Sequence, residues 1–323
     1  MKKIKQRGYV VLFEGETMNS MEISVFLENI RYGRKISQDD FCSGIVSLRQ
    51  YQRYRNGECE ITYEKLEQFA NKLGIPTKKM MYEFERSRSI QYKMITMFYN
   101  AVVNRDAALA KEYKAKVEKE NIFDEDRQLY FNHALMMNDY YRGIITKADM
   151  LDSTSKLINY PTIIKQKFLT DIEVLILSFL LTLSEGYEQM RLLNKLTELF
   201  ENEDWIMSGE SNFAYSLILM RMSQVYGIQK NFSQVIKYCD LGIKRGIYCK
   251  QYYLMEYFYY YRALANFRLE CYDIYEESLF RCYGVLHLEG NKKKIEKFTN
   301  LIEKDFHINF DAFIINYLKK GIL

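Results

Sequence analysis

The chain has 323 residues, of which 48% are hydrophobic and 27% charged, and this composition is typical of a folded globular protein and excludes a disordered one. Only 2 prolines and 15 glycines are present, too few for the many turns of a sheet protein, so the composition favours long helices and an all-α fold. The formal net charge of +4 is too small to indicate a polyanionic partner unless the charge is concentrated locally.

Catalytic and metal-binding motifs are missing from the sequence. The six cysteines form no C-x-x-C pair, and we interpret them as reduced core thiols of a cytoplasmic protein. The histidines, His133, His287 and His307, lie far apart and outside any zinc motif. Because the sequence also has no glycine-rich phosphate loop and no nucleophile close to a base, we expect no metal, no cofactor and no enzyme activity.

Membrane insertion is not expected from the hydropathy pattern. The longest apolar run, Val174 to Leu183, has about ten residues, half of the ~20 that cross a bilayer. Glu14 and Glu16 interrupt the apolar stretch near the N-terminus, so no signal peptide is indicated. These features predict a cytoplasmic protein without a membrane partner.

Residues 1–20 form a predicted N-terminal extension. The segment Tyr9 to Phe13 has the pattern of a short strand or an extended arm. Four basic residues precede this segment, namely Lys2, Lys3, Lys5 and Arg7. They could reach a DNA minor groove, although we favour the interpretation of a disordered or packed tail.

Residues 21–85 are predicted to form a four-helix domain. Apolar residues at helical spacing predict a first helix over Glu22 to Lys35. Ser37 and Ser47 precede two short segments as N-caps, so a short second helix should end near Gly44 and a third should run from Leu48 to Arg55. A fourth helix is expected over Tyr63 to Leu73, behind Thr62 as N-cap and ending at Gly74. Two short helices joined by a tight turn indicate a helix-turn-helix.

The third helix of this domain carries the predicted DNA-contact residues. Residues 31–55 contain six basic and two acidic residues, a local charge of +4. Arg49, Gln50 and Arg53 fall on one side of the helix, while Tyr51 and Tyr54 should point towards the core. Arginine and glutamine make bidentate contacts with guanine and adenine, so we expect these three to contact bases. At helix starts beside free N–H groups, the predicted phosphate contacts are Ser37, Gln38 and Ser47.

The segment from Ser37 to Gly57 resembles the phage-repressor (XRE) type of helix-turn-helix. Gln38, Cys42, Tyr51 and Gly57 fill the glutamine, small, apolar and glycine places of that pattern. The segment departs from the pattern in two ways, because Arg55 stands where a glutamate is usual and the spacing is one residue shorter. The departures put an internal salt bridge and the start of the recognition helix in doubt.

Residues 86–323 read as a series of amphipathic helices separated by short turns. Paired segments recur with a period of about 38 to 40 residues, close to the 34 of tetratricopeptide repeats, and the clearest pairs are 213–227 with 232–246 and 251–269 with 272–286. We therefore expect a right-handed superhelix of degenerate tetratricopeptide-like hairpins. The last helix, Phe310 to Lys320, should cap the array or contact a second subunit, and we favour capping.

This order of domains resembles the RRNPP regulators of low-GC Gram-positive bacteria, which include the Rgg, PlcR and PrgX proteins. The resemblance implies a homodimeric quorum-sensing transcription regulator that binds double-stranded operator DNA and is controlled by a short signalling peptide in the concave groove of its repeats. It also implies groove residues on the first helices of the hairpins, for which a surface or seam position is equally consistent with the sequence: Asn212, Tyr215, Arg221, Tyr259 and Asn266.

The alternative function is a helical-repeat adaptor that binds a protein partner without specific DNA recognition. The cluster of Arg34, Arg49 and Arg53 argues against it, since an adaptor has no need of guanine-reading side chains on one helix face.

Overall fold

The computed structural model describes residues 20–207 and 212–320, and the side chain of Asn212 is not described. The predicted N-terminal strand or arm, Tyr9 to Phe13, therefore lies outside the described residues. Most described residues are helical, which confirms the all-α class. A single parallel pairing of two-residue strands, β1 (Leu169–Thr170) with β2 (Ile206–Met207), is the only sheet in this part of the chain.

Contacts divide the chain into two compact units, here called the N-terminal unit, which ends at Ala134, and the repeat unit, which begins at Leu135. The N-terminal unit contains six helices and the start of a seventh, namely α1 (Ser20–Gly33), α2 (Gln38–Cys42), α3 (Leu48–Arg55), α4 (Tyr63–Lys72), α5 (Thr77–Val103), α6 (Ala107–Val117) and α7 (Glu125–Tyr141). The predicted domain boundary between residues 85 and 86 falls inside α5. No break in the helix marks it, so this boundary stays a prediction.

Helices α1 to α4 follow the predicted plan closely. Helix α3 has the predicted bounds, and α4 is one residue shorter than expected. Helix α1 begins and ends two residues before its predicted bounds, because the backbone beyond it turns at Lys35, which has a φ of 58°. Between α2 and α3, Gly44 has a φ of 77°, a conformation that glycine adopts without strain.

An aromatic cluster holds the first four helices together. Phe41 of α2 stacks on Phe69 of α4 at a centroid distance of 4.8 Å, and Tyr51 of α3 lies edge-on to Phe41 at 5.6 Å. All three rings are fully buried. Helix α5 extends this core through Phe84, whose ring contacts Phe26 of α1 at 5.4 Å.

Beyond α7, the repeat unit is a succession of helical hairpins, which confirms the predicted repeat. It contains α8 (Lys147–Leu157), α9 (Asp171–Leu183), α10 (Gly186–Glu201), α11 (Asn212–Ile228), α12 (Phe232–Tyr248), α13 (Met255–Arg268), α14 (Tyr272–Glu289), α15 (Lys292–Phe306) and α16 (Phe310–Lys320). The first helices of four hairpins begin at residues 171, 212, 255 and 292, so the steps are 41, 43 and 37 residues, more variable than the predicted period.

Helices α12 and α13 approach closely at two glycines. A Cβ atom on Gly242 would lie 2.4 Å from the Phe258 ring, and one on Gly246 would lie 2.9 Å from the backbone oxygen of Gln251. Only glycine is compatible with this packing distance, because real Cβ atoms do not come so close to their neighbours.

The last helix, α16, packs on α14. Phe310 and Ile314 are buried, and the Tyr317 ring stacks on Phe280 at 4.9 Å. This packing agrees with the predicted capping role. On its other side, Ile315 and Leu318 are exposed.

Three of the six cysteines, all of which were predicted to be core residues, are buried. Cys42, Cys239 and Cys282 are buried, whereas Cys271 is exposed and the other two are intermediate. All six are free thiols. Among the described helices, none is both long and apolar enough to cross a membrane.

Candidate functional site

Helix α3 presents one apolar and one polar face. Its first turn is capped by Ser47, whose Oγ accepts a hydrogen bond from the Gln50 N–H at 3.1 Å. Tyr51 and Tyr54 are buried beneath the helix, as predicted, while Arg49 and Arg53 are exposed. The polar face therefore extends away from the core of the N-terminal unit and is available to a partner.

The structure places Arg49, Gln50 and Arg53 together on that face. Arg53 Nη1 donates to Gln50 Oε1 at 3.4 Å, and Gln50 Nε2 contacts Cys59 Sγ at 3.2 Å. Arg49 forms no hydrogen bond or ion pair with any residue in the described part of the chain. These three side chains could therefore contact one ligand together.

The three predicted phosphate contacts all make bonds within the N-terminal unit. Ser37 caps α2 and donates to Asp40 Oδ2 at 2.7 Å, and Ser47 caps α3. Gln38 Nε2 donates to Glu28 Oε1 at 2.6 Å. Asp40 adds negative charge at the start of α2, so a phosphate would meet local repulsion there.

Glu28 of α1 holds the site together and was missed by the sequence reasoning. Its carboxylate accepts hydrogen bonds from Arg31 at 2.6 and 2.9 Å, from Gln38 at 2.6 Å and from the Tyr51 hydroxyl at 3.0 Å. It thereby ties α1 to α2 and α3. The hydrogen bonds from Arg31 are the largest cause that lowers the pKa of Glu28 to about 2, against the opposing effect of burial.

Arg55, which stands at the usual glutamate place, lies near a carboxylate of α1. Arg55 Nη1 lies 3.9 Å from Glu28 Oε1, so the basic group is on α3 and the acidic group on α1. No pattern in the sequence indicated Glu28, because its partners on α2 and α3 lie up to 23 positions away.

The local charge of +4 overstates the exposed positive charge. Arg31 is buried and paired with Glu28, which lies just outside the segment that was counted. Arg34 donates to the backbone oxygen of Leu73, so it helps to hold α4. The exposed basic residues of the segment are Arg34 and Lys35 after α1 and Arg49 and Arg53 on α3.

A buried ionic cluster connects α1 to α5 and α7 within the N-terminal unit. Arg127 Nη2 lies 2.7 Å from Glu22 Oε1, and its Nη1 donates to Gln91 at 2.8 Å. Arg88 pairs with Asp124 at 3.3 Å. A polar cleft of about 330 Å³ lies beside the cluster. Because Glu22 of α1 pairs with both Arg88 of α5 and Arg127 of α7, the cluster fixes the position of α1 relative to α5.

Two of the predicted peptide contacts lie in helix seams of the repeat unit. Tyr215 is 3% exposed and lies between the Phe200 ring, at 5.7 Å, and the guanidinium of Arg245, at 3.8 Å. Arg221 is 4% exposed, and its Nη1 donates to the Leu175 backbone oxygen at 3.1 Å and to Ser178 Oγ at 3.0 Å.

The other predicted peptide contacts belong to the ends of α11 and α13. Tyr259 is buried, and burial raises the pKa of its hydroxyl. Asn266 is also buried and donates to the backbone oxygen of Arg262, one turn earlier, at 2.8 Å. Asn212 begins α11, and its side chain lies outside the described residues. None of the five lines the open cleft of about 490 Å³ between α8, α9 and α10.

A site for a metal ion is not formed within residues 20–207 and 212–320, where no cluster of three or more histidine, cysteine or carboxylate side chains occurs.

Three solved structures that are similar to this chain contain a bound peptide, and two of them also contain DNA. ComR from S. thermophilus, in complex with DNA and its signalling peptide ComS, has a TM-score of 0.51 and 12% identity over 88% of this chain and 99% of its own. PlcR from Bacillus thuringiensis, in complex with the peptide PapR7 and DNA, has a TM-score of 0.48 and 16% identity over 87% and 99%. ComR from Streptococcus vestibularis with its signalling peptide XIP has values of 0.49, 14%, 88% and 99%.

At these identities the similarity to ComR from S. thermophilus shows a shared fold. Neither a protein-family model nor a curated protein sequence matches the chain.

Proposed function

We propose that the chain is a sequence-specific DNA-binding transcription regulator whose activity is controlled by a short signalling peptide bound by its helical repeats. The observation that carries the proposal is the polar face of α3, where Arg49, Gln50 and Arg53 stand together above a buried apolar face. This is the arrangement by which a recognition helix enters a major groove.

The shared fold supports the second half of the proposal. ComR from S. thermophilus was solved with both DNA and a signalling peptide, and this chain covers 99% of it. By this analogy we propose the same two ligands here, a homodimeric assembly and a cytoplasmic location, with no catalytic role. Sedimentation velocity of the purified chain tests the dimer directly.

DNA binding would use the described side chains in two ways. Arg49 is free to contact a base edge, and Arg53 and Gln50 lie beside it. Ser37, Gln38 and Ser47 are proposed to contact phosphates. For Gln38 this means sharing or leaving its hydrogen bond to Glu28, while the helix N-terminus behind Ser47 can donate without rearrangement.

Among the proposed peptide contacts, Arg221 has the chemistry most suited to the role. Its guanidinium is buried and bonded only to neutral oxygens, with no carboxylate partner in the described part of the chain. A buried cation without a counterion gains from an anionic partner, so we propose that Arg221 binds a peptide carboxylate. The other proposed contacts would reach the peptide only if the neighbouring helices move apart; these are Tyr215, Tyr259, Asn266 and Asn212.

The DNA test is selection from a randomised duplex library, followed by titration of the selected site. Arg49→Ala and Arg53→Ala should each weaken specific binding by about 1 to 3 kcal/mol. Lys79→Ala, which removes an exposed charge from α5, is the control and should leave the preference among sequences unchanged. Losses of only a few tenths of a kcal/mol in binding free energy for both arginine variants would contradict the base-contact assignment. A wild-type protein that enriches no sequence would favour the adaptor function.

The peptide test measures operator binding with and without peptide fractions of conditioned medium. Wild-type affinity for the operator should change on addition of the active fraction, and Arg221→Gln should abolish the change while retaining operator binding. Arg268→Gln, an exposed substitution on α13, should respond as the wild type does. A full response of Arg221→Gln would remove Arg221 from the site.

A further inference from the structure

The turn that follows α3 folds back onto the exposed face of that helix. The Glu58 N–H donates to the Arg53 backbone oxygen at 2.9 Å, and Asn56 Nδ2 donates to Glu58 Oε1 at 3.0 Å. Gly57, with a φ of 73°, makes this reversal of the chain possible. The Glu58 carboxylate is therefore held by the turn itself.

That carboxylate is directed at Arg53. Glu58 Oε2 lies 3.4 Å from Arg53 Nε, and Gln50 Oε1 lies 3.4 Å from Arg53 Nη1 on another side. Gln50 is in turn bonded to Cys59 Sγ. Arg53 is thus restrained on two sides, whereas Arg49, one turn earlier, has no such restraint among the described residues.

The restraint has a consequence for recognition. With Glu58 beside Nε and Gln50 accepting one N–H of Nη1, the Nη2 group and the second N–H of Nη1 stay available, and these can donate to two acceptors of a guanine edge. Fixing a long side chain before binding also lowers the conformational entropy that is lost in the complex.

A purely structural role for the Arg53–Glu58 pair is not supported by its exposure. The side chains are 48% and 51% exposed, and exposed ion pairs add little to stability. We propose that Glu58 is a positioning residue that orients Arg53 for base reading and so determines specificity at one base pair of the operator. The proposal rests on the proposed DNA-binding function.

The charge of Glu58 gives the proposal a distinctive signature. A carboxylate next to the binding face repels the DNA backbone, so its removal should raise affinity for all sequences. Loss of the orientation of Arg53 should at the same time lower discrimination at one base pair. These two effects have opposite signs, and a residue that only supports the fold would not produce both.

The experiment compares Glu58→Ala, Glu58→Gln and the matched control Glu60→Ala with the wild type. Glu60 is exposed shortly after the same turn and forms no hydrogen bond or ion pair among the described residues. Each full-length protein is titrated with the site selected by the wild type, with its single-base variants and with unrelated duplex DNA, at two salt concentrations. Unfolding curves establish that the variants are folded.

We expect Glu58→Ala to lose about two- to fivefold of discrimination at the base pair that Arg53→Ala also relaxes, and to bind unrelated DNA more tightly. Glu58→Gln should retain discrimination, because its amide oxygen can occupy the same place beside Arg53 Nε, and should share the higher general affinity. Glu60→Ala should change general affinity alone.

A Glu58→Ala profile identical to that of Glu60→Ala would overturn the proposal, as would an equal loss at every base pair. A wild type that selects no site refutes the proposed function, and the positioning role falls with it. A wild type that selects a site while Glu58→Ala discriminates normally refutes the positioning role alone.

Discussion

Helix α3 of the N-terminal unit and helices α11 and α13 of the repeat unit differ in how their predicted contact residues are placed. Arg49 and Arg53 are exposed on α3, where a ligand can reach them. Tyr215 and Arg221 on α11, and Tyr259 on α13, are buried against neighbouring helices. The contacts predicted from helical spacing on α3 and those implied by the resemblance on α11 and α13 thus have opposite environments.

The difference arises from the number of helix faces that are covered. Helix α3 covers the core with one stripe, marked by Tyr51 and Tyr54, so its other side faces solvent. Helix α11 packs against α9, α12 and α13, and few of its positions remain exposed. Helical period identifies the outer face of a helix with one packed side, but not the groove face of a helix inside an array.

The largest effect is expected when the Glu28 carboxylate beneath α3 is removed. Glu28→Ala should destabilise the N-terminal unit by about 3 to 5 kcal/mol, because the buried donors of Arg31 and Tyr51 lose their acceptor. Hydrogen exchange should rise in α1 to α3 and stay unchanged in the repeat unit. Glu60→Ala is the exposed control. Unchanged protection of α3 in Glu28→Ala would show that the aromatic core alone orients the helix.

Acid should weaken the same contact. The pKa of Glu28 is about 2 in the folded chain against an ordinary 4.5, so its stabilisation is complete above about pH 4.5 and is lost as the pH falls towards 2. The full effect is about 3 kcal/mol. The stability gap between wild type and Glu28→Gln, from urea unfolding followed by circular dichroism, should shrink from about pH 5 to about pH 3. A constant gap would contradict the low pKa.

A smaller effect is expected at the close approach in the repeat unit. Gly242→Ala places a methyl group against the Phe258 ring and should cost about 1 to 3 kcal/mol. Gly284→Ala on α14, where a Cβ meets no atom within 4 Å, should instead stabilise by up to about 1 kcal/mol. Fluorescence of the single tryptophan, Trp205, reports the unfolding midpoint of this unit. Equal effects of the two substitutions would mean that α12 and α13 can separate without cost.

The sequence was sufficient to predict α2, α3 and α4 and the residues that cap them. Ser37, Ser47 and Thr62 cap α2, α3 and α4 as expected, because a cap depends on residues within one turn. The inward direction of Tyr51 and Tyr54 was also predictable, since it follows from helical period and one buried face. The all-α class and the hairpin repeat required only periodicity and turn residues.

Tertiary structure alone decided which polar groups meet. Glu28 joins residues up to 23 positions away, and Arg127 pairs with Glu22 across 105 positions, distances over which a sequence pattern carries no geometry. The burial of Tyr215 and Arg221 depends on how α9, α10 and α12 pack against α11. Helix caps and helical periodicity depend on residues close together in the sequence. Which helices contact each other depends on the three-dimensional packing that brings distant segments together.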